Sequence, residues 1–456
     1  MGLTRRPYKV EVELRGRISR SLVEELSRRK KEPDWMRRLR LKSLELFEKL
    51  PMPKWVPGVE EIDLDELAYY VKPEAPQARS WDELPREIRE YYEKLGIPEQ
   101  EARYLAGLYT TMDSEVVYGK VKEKLREKGV IIMSMDEAVQ RDLPIVKEYF
   151  MKIFPPSDHK FAALHGALWS GGVFVYVPKG VRITEPIEGF FLIGQPLEGQ
   201  FEHTLIVADE GSYLNFIEGC SAPRFVGYSL HDGMVEIYAH RGATVKFTTI
   251  QNWSRNVINY NNKRAIAEAG ARVDWFEGSI GSKVTVTYPA TILKGEGAAS
   301  RSMVVTLSKG PVLKDSGAKM IHLAPRTRSR IVSKSISADG GVNVYRGLVR
   351  IARGARHARA DVECDSLIFD EESKAHTYPH NQLEEPTAVV THEATTGRLN
   401  ENQLFYMQSR GLSEGEAKSL IVLGFLSDVL AELPFEYLNI LNRVVQLEFK
   451  EVGGLG

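Results

Sequence analysis

The feature that most constrains the fold is a run of short β-branched segments, between about residues 172 and 377, that contains no amphipathic helix. Examples are Val173–Val177, Thr204–Ala208, Met234–Ala239, Thr244–Ile250, Val284–Tyr288, Met303–Leu307 and Ile331–Ile336. Segments of this length and composition are typical of β-strands. A doubly wound α/β sheet needs helices between its parallel strands, so the run argues against that fold.

Small residues divide the run at loosely regular intervals. Gly-Ser or Gly-Ala pairs follow Glu210, Arg241, Ala269, Glu296, Ser316 and Arg353. Their spacing of roughly 20 to 37 residues is a loose repeat rather than a strict one. A β-sandwich would instead show Asn-Gly or Asp-Gly hairpin turns. Many short strands with small residues at the corners favour a parallel β-helix, in which stacked coils share one core.

Helical patterns flank this run, so the predicted fold class is α+β, mostly β. Residues 1–160 are predicted to be a mainly helical region, and 161–385 the β-helix core. Residues 386–456 are predicted to be a second helical region. Within it, Asn400 can cap one helix, and Ser413-Glu-Gly-Glu416 fits a capping box that opens the next.

Charge and hydropathy exclude several partners. Lysine and arginine number 61 and aspartate and glutamate 62, so no long-range positive field attracts nucleic acid. No apolar run approaches the roughly 20 residues that a membrane crossing requires. The segment Met1–Arg6 lacks the apolar core of a secretory signal, and the chain is therefore expected to be cytoplasmic.

The two cysteines, Cys220 and Cys364, lie far apart and outside any CxxC pair. Any thiolate-bound metal therefore needs mixed ligands or a second subunit. Cys364 and His392 could form a nucleophile–base pair or share a metal, and simple core packing is the alternative. His392 and Glu393 would point to opposite faces of a strand, which weakens their binding of one metal. The chain has no G-x-x-x-x-G-K-[ST] loop and is not expected to hydrolyse ATP.

Nine motifs, in order along nearly the whole chain, resemble those of SufB-type members of the SufBD family of the SUF system. They are Lys31-Glu-Pro-Asp-Trp-Met36, Gly219-Cys-Ser-Ala-Pro223, Gln251-Asn-Trp253, Gly317-Ala-Lys-Met-Ile-His322, Tyr345-Arg-Gly-Leu348, Cys364-Asp-Ser366, His392-Glu-Ala-Thr-Thr396, Asn402-Gln-Leu-Phe-Tyr406 and Arg410-Gly-Leu-Ser413. The resemblance implies a right-handed parallel β-helix flanked by helices. It also implies a scaffold for iron–sulfur cluster assembly, not an enzyme.

The resemblance also assigns roles to particular residues. It implies that Cys364, His392 and Glu393 are ligands of a transient cluster, [4Fe–4S] or alternatively [2Fe–2S]. It implies that Cys220 receives persulfide sulfur from a cysteine desulfurase or its relay protein, SufE or SufU. The positions that would line the path from Cys220 to Cys364 are Gln251, Trp253 and Lys263.

The partners implied by the resemblance are the ATPase SufC and either SufD or a second copy of the chain. Apo iron–sulfur proteins would receive the finished cluster. We expect SufC to bind the C-terminal helices through Leu420, Phe425 and Leu426. The apolar residues there cover more of the helix circumference than one buried face requires, so some of them should be exposed to a partner. Flavin association is a trait of the bacterial complex, but no motif here predicts a flavin site.

Three alternatives come from other classes or branches: a SufD-like partner subunit without primary cluster ligation, a β-helix carbohydrate-active enzyme and a Cys-His hydrolase. SufD usually has glycine after the histidine of its His-Gly-Ala-Thr stretch and lacks the paired cysteines, whereas this chain has Glu393 and both. Phe191-Leu-Ile-Gly194 departs from the Phe-Arg-Ile-Asn of many bacterial members. We therefore assign residues 192 and 194 no role in the sulfur path.

Overall fold

The computed structural model describes residues 8–54, 56–75, 78, 80–95, 97–431, 445 and 448–449. Its centre is a parallel β-helix between helical regions, which confirms the predicted fold class. Successive strands alternate between two sheets, and each core strand pairs in parallel with the strand of the same sheet one coil later. Side chains alternate between the interior and the outer faces because a strand has a period of two.

The strands form two large sheets. The first contains, in spatial order, β4 (Glu115–Val121), β3 (Gly107–Met112), β7 (Arg182–Leu192), β10 (Tyr213–Ser221), β12 (Thr244–Trp253), β14 (Arg272–Gly281), β17 (Ala299–Lys309), β19 (Arg328–Ala338), β21 (Arg359–Ile368) and β23 (Val389–Arg398). The second contains β5 (Ile131–Ser134), β6 (Val173–Val177), β9 (His203–Ala208), β11 (Ser229–Ala239), β13 (Val257–Ala267), β15 (Val284–Thr287), β18 (Leu313–His322), β20 (Val342–Ile351) and β22 (Lys374–Leu383), with the short β8 (Gly199–Gln200) and β16 (Ala290–Leu293) paired beside this order.

One row of corners is more regular than the sequence repeat. Residues with positive φ stand at Gly211, Gly242, Gly270, Gly297 and Arg326, 27 to 31 residues apart. The amide of each corner donates a hydrogen bond to a carbonyl of the next corner. The expected turn at Ser316-Gly-Ala is wrong, because Gly317 lies inside β18. A β-carbon there would stand 1.8 Å from the Arg346 carbonyl oxygen of the next coil.

The N-terminal region combines helices with strands. Its helices are α1 (Arg20–Arg29), α2 (Asp34–Lys49), α3 (Arg86–Leu95), α4 (Ile97–Tyr104), α5 (Glu123–Arg126), α6 (Met135–Gln140), α7 (Pro144–Tyr149) and α8 (Lys160–Leu168), with 3-10 turns at Val59–Glu61 and Trp81–Glu83. Strands β1 (Val10–Arg15) and β2 (Ala68–Pro73) form a separate antiparallel pair. Strands β3, β4 and β5 extend the two sheets, so the β-helix begins inside the region predicted to be mainly helical.

The C-terminal helices α9 (Glu401–Ser409), α10 (Glu414–Phe425) and α11 (Ser427–Leu430) follow the last coil. Val422, Leu426 and Val429 pack on the outer face of the first sheet. Strand β23 continues the β-helix to Arg398, inside the segment that the sequence assigned to the C-terminal helical region. The sequence did not reveal this strand because the last coil is polar and shows no apolar alternation. Within the described part of the chain, no helix has the length and apolar character needed to cross a membrane.

Candidate functional site

The two cysteines lie on the inner face of the first sheet, on different coils. Cys220 is in β10 and Cys364 in β21, five strand steps apart. At the usual spacing between strands this is about 24 Å. Both thiols are free and buried.

Two rows of aligned, inward-facing residues run along the first sheet between the cysteines. The first row contains Cys220, Gln251, Ser279, Thr306, Ser335 and Ser366. The adjacent row contains Glu218, Thr249, Glu277, Val304, Ser333 and Cys364. One row thus begins at one thiol, and its neighbour ends at the other.

A third row faces them from the second sheet. Strand register aligns His231, Asn259, Thr285, Lys314 and Asn343, all of them buried. We call these three rows, in which Val304 is the one aliphatic member, the polar seam. Polar residues are rare in a protein interior unless hydrogen bonds satisfy them. The Gln251 side chain meets this need by hydrogen-bonding across the interior to Asn259 and Asn261.

Lys263 joins the two sheets near Cys220. Its Nζ lies 3.2 Å from Glu218 Oε1 and 3.8 Å from Glu277 Oε2, and it donates to Thr249 Oγ1 at 3.0 Å. Burial lowers the pKa of Lys263, but the two carboxylates outweigh burial and raise it overall. The side chain is therefore a fixed cation inside the β-helix.

The thiol of Cys220 is enclosed by charged and aromatic groups. Burial, followed by the charges of Glu218 and Glu202, raises its pKa well above the ordinary value, while the Lys263 cation opposes them. The Trp253 ring packs against the His231 ring, with centroids 4.6 Å apart. The structure thus gathers Cys220, Gln251, Trp253 and Lys263 into one region of the interior.

At the other cysteine, Cys364 Sγ lies 3.8 Å from His392 Nε2. The pairing of Val362 with His392 places this histidine on β23 diagonally above the thiol, one coil further along. Burial raises the pKa of Cys364 to about 12, and the nearby Tyr345 hydroxyl opposes this only in part. Burial lowers the pKa of His392, so its imidazole is neutral near pH 7 and can act as a ligand.

Glu393 is separated from this pair. It is aligned with Glu363, on the opposite face of the sheet from Cys364 and His392. Together with Arg330, Asp361 and Thr391 it lines a shallow outer cleft of about 290 Å³. One chain in this conformation therefore presents two of the three expected ligands at one point.

The last coil covers Cys364 only thinly. Strands β22 and β23 are the final strands of their sheets, and most of their residues are exposed. Tyr378, Leu383 and Val389 are large apolar side chains exposed there. Terminal strands with free edges and exposed apolar groups are suited to pairing with another chain.

The expected partner-binding residues differ in exposure. Leu420 is 48% exposed, Phe425 is half-buried beside Lys334, and Leu426 is buried against the β-helix. Sequence reasoning did not select Phe405 and Tyr406, which are 72% and 57% exposed on α9. No residue of α9 is buried, so its apolar side chains have no core to fill.

Sequence reasoning also missed Glu202 and His231, which lie beside Cys220. They are 29 residues apart in sequence, and no short motif joins them. The length of one coil is the sequence feature that could have identified them. Residues about 30 positions apart come together in this fold, as His231 and Asn259 also do.

Comparison with known proteins gives a consistent result over nearly the whole chain. Residues 27–188 match the family model of the SufBD protein N-terminal region. Residues 191–425 match the model described as SUF system FeS cluster assembly, SufBD core domain. The chain is 46% identical over 439 residues to the iron–sulfur cluster assembly protein SufB of Bacillus subtilis, which covers 96% of this chain and 94% of that protein. An iron–sulfur cluster assembly SufBD family protein of Staphylococcus haemolyticus matches with the same identity and coverage.

Proposed function

The chain belongs to the SufBD family of iron–sulfur cluster assembly proteins, and we propose that it is the scaffold on which the cluster is built. Sulfur is accepted at Cys220, and the cluster forms at the Cys364 end of the β-helix. The observation that carries this proposal is the polar seam, which links the two buried thiols through the interior.

The chemistry at Cys220 is a thiol–persulfide exchange. The Cys220 thiolate attacks the outer sulfur of a persulfide on the donor, the S–S bond of the donor breaks, and the donor leaves as a thiolate. The Lys263 cation opposes the burial and the carboxylates that raise the pKa of Cys220, and it stabilises the thiolate that makes this attack. The donor is a cysteine desulfurase or a relay protein such as SufE or SufU.

The cluster itself is cargo, held by Cys364 and His392 and then released. One thiolate and one imidazole leave other iron positions open, and such mixed ligation suits a cluster that must be transferred. The remaining ligands come from a second chain, SufD or another copy, paired along the free edges of the last coil. Glu393 contributes after the last coil rearranges, or through that second chain. We assign a [4Fe–4S] cluster, passed to apo acceptor proteins in the cytoplasm.

The test of the cluster site is anaerobic reconstitution with ferrous iron and sulfide. Cys364→Ala should lose the visible iron–sulfur absorption, because the thiolate of this site is removed. Thr395→Ala, at an exposed residue on the outer face of β23, is the control and should keep that absorption. An unchanged spectrum of Cys364→Ala would overturn the assignment.

A second experiment separates the two cysteines. Cys220→Ser should still form a cluster from free sulfide but should fail with a desulfurase and cysteine as the sulfur source. Equal failure by both routes in a folded variant would make Cys220 structural.

We also propose that the ATPase SufC binds α9 and the exposed side of α10, and that ATP hydrolysis resides in SufC. Phe405, Tyr406 and Leu420 supply the exposed apolar surface. The double substitution Phe405→Ala with Tyr406→Ala should abolish co-purification with SufC. Val226→Ala, at another exposed apolar residue, is the control and should leave it unchanged. Retained binding by the double variant would place the docking surface elsewhere.

A further inference from the structure

A buried group of three metal-binding residue types surrounds Cys220. Glu202, Cys220 and His231 each offer a ligand atom, and these atoms lie within 4.8 Å of one another. They come from the segment before β9, from β10 and from β11. We propose that they bind one divalent transition-metal ion, ferrous iron or zinc.

The orientation of His231 suits this role. Its Nδ1 lies 2.7 Å from Asn259 Oδ1. The Asn259 amide nitrogen donates to Gln251 and Thr285, which turns Oδ1 toward the histidine. Nδ1 therefore donates to Asn259, and Nε2 is the nitrogen that faces Glu202, to which it is hydrogen-bonded when no metal is bound. A metal ion between Nε2 and the carboxylate would replace the proton of that hydrogen bond. A ligating histidine held in this way by a hydrogen bond to its other nitrogen is the usual arrangement in metal sites.

Glu202 supplies an independent observation. Its Oε2 is buried and has no hydrogen-bond partner among the described residues. A buried carboxylate oxygen without a partner is costly unless a cation satisfies it. Gly233 leaves room for this carboxylate, since a β-carbon there would lie 2.6 Å from Glu202 Oε1.

The ligand types select the class of metal. Thiolate, imidazole and carboxylate together suit ferrous iron or zinc, whereas calcium and magnesium prefer oxygen ligands. Three protein ligands leave one position open in a tetrahedral site. On binding, bonds form from the metal to Cys220 sulfur, His231 Nε2 and a Glu202 oxygen. The Cys220 proton and the proton shared by His231 and Glu202 pass to solvent, and no oxidation state changes. This site is about 24 Å from the cluster position, so its existence does not depend on cluster assembly at Cys364.

The test is anaerobic titration of the full chain carrying Cys364→Ser with cobalt(II), a spectroscopic probe for such sites. A thiolate-to-cobalt charge-transfer band should reach saturation at about one ion per chain. Cys220→Ser should abolish the band, and Glu202→Gln and His231→Gln should weaken it strongly. Asn259→Ala, which removes only the support of His231, should weaken binding by roughly 10- to 100-fold.

The outcomes are distinguishable even if a buried substitution impairs folding. Zinc should raise the melting temperature of the Cys364→Ser chain, whose proposed site is intact, and should not raise that of Cys220→Ser with Cys364→Ser. Absence of the cobalt band from the folded Cys364→Ser chain would overturn the metal site. So would a band unaffected by Glu202→Gln and His231→Gln. Neither result would alter the reconstitution of Cys364 with iron and sulfide, which tests the proposed function.

Discussion

The middle of the β-helix around Cys220 and its far end around Cys364 hold the same functional group in opposite settings. Around Cys220, three further strands of the first sheet lie on one side of β10 and six on the other, and the neighbouring charges of Lys263, Glu218 and Glu277 are almost fully buried. Around Cys364, one further coil follows, and that coil is largely exposed. The middle is thus fixed by buried electrostatics, whereas the end is held by a thin, polar cover.

The difference separates two tasks that one thiol could not perform equally well. An enclosed thiol can hold a reactive sulfur away from water and from competing thiols. A thiol beneath one exposed coil can be uncovered by a local rearrangement, because opening free energies are smallest where buried contacts are few. Each of the following predictions probes this contrast between middle and end.

The largest expected effect is the loss of the buried cation in the middle. Lys263→Met should lower the free energy of unfolding by about 3–5 kcal/mol, because Glu218 and Glu277 would remain buried without it. The matched variant at the end is Lys334→Met. The Lys334 side chain is itself buried, but its partners Glu363, Asp365 and Asp428 are 35%, 19% and 53% exposed, so water can screen the carboxylates that remain. Lys334→Met should cost about 1 kcal/mol or less. Urea denaturation measures both free energies of unfolding. Equal losses in the two variants would contradict the proposed difference between the middle and the end of the β-helix.

A second lysine in the middle has hydroxyl and carbonyl partners. Lys314 Nζ contacts Ser282, Thr285 and the Gly281 carbonyl, and burial lowers its pKa to about 7. Since the unfolded side chain titrates near 10.4, the folded protein binds fewer protons between these pH values, and its stability rises with pH there. Relative to Lys314→Met, wild type should gain a few kcal/mol between pH 7 and pH 10.

Denaturant titrations of both proteins at several pH values measure this gain. The exposed Lys246→Met is the control, and it should show no comparable pH dependence relative to wild type. A constant difference between wild type and Lys314→Met across the range would mean that Lys314 stays charged.

The smallest expected effect concerns the two thiols themselves. In the native apo protein, Cys364 should react with an alkylating agent at least about tenfold faster than Cys220, a difference of only ~1.4 kcal/mol in opening free energy. Peptide mass spectrometry after timed alkylation gives both rates in one sample. Faster reaction of Cys220 would show that the middle opens more readily than the end.

The β-helix was predictable because its corners and β-branched strands are local signals. The opposite orientation of His392 and Glu393 was also predictable, since alternation along a strand follows from geometry alone. The strands of the N-terminal region could not be predicted from the sequence. Leu108, Thr110, Thr111 and Met112 are buried on both faces of β3, so the segment lacks the alternation that marks a half-buried strand.

The surroundings of Cys220 were harder to predict than the cysteine itself. Glu202, His231 and Asn259 meet only through strand register, and the misread turn at Ser316 obscured the coil length that sets this register. Nor could the sequence separate Leu420 from Leu426, since both belong to one continuous apolar run. Their different exposure depends on how α10 and α11 sit against the first sheet.

Because the corners are stacked in register, the β-helix can be lengthened without disruption only by whole coils. A single inserted residue within a strand would turn every following side chain to the other face, and the polar seam would break at that point. A whole inserted coil would keep each row in phase and move the two thiols apart by about 4.8 Å. The distance between the two thiols can therefore change only in steps of one coil spacing, whether by evolution or by design.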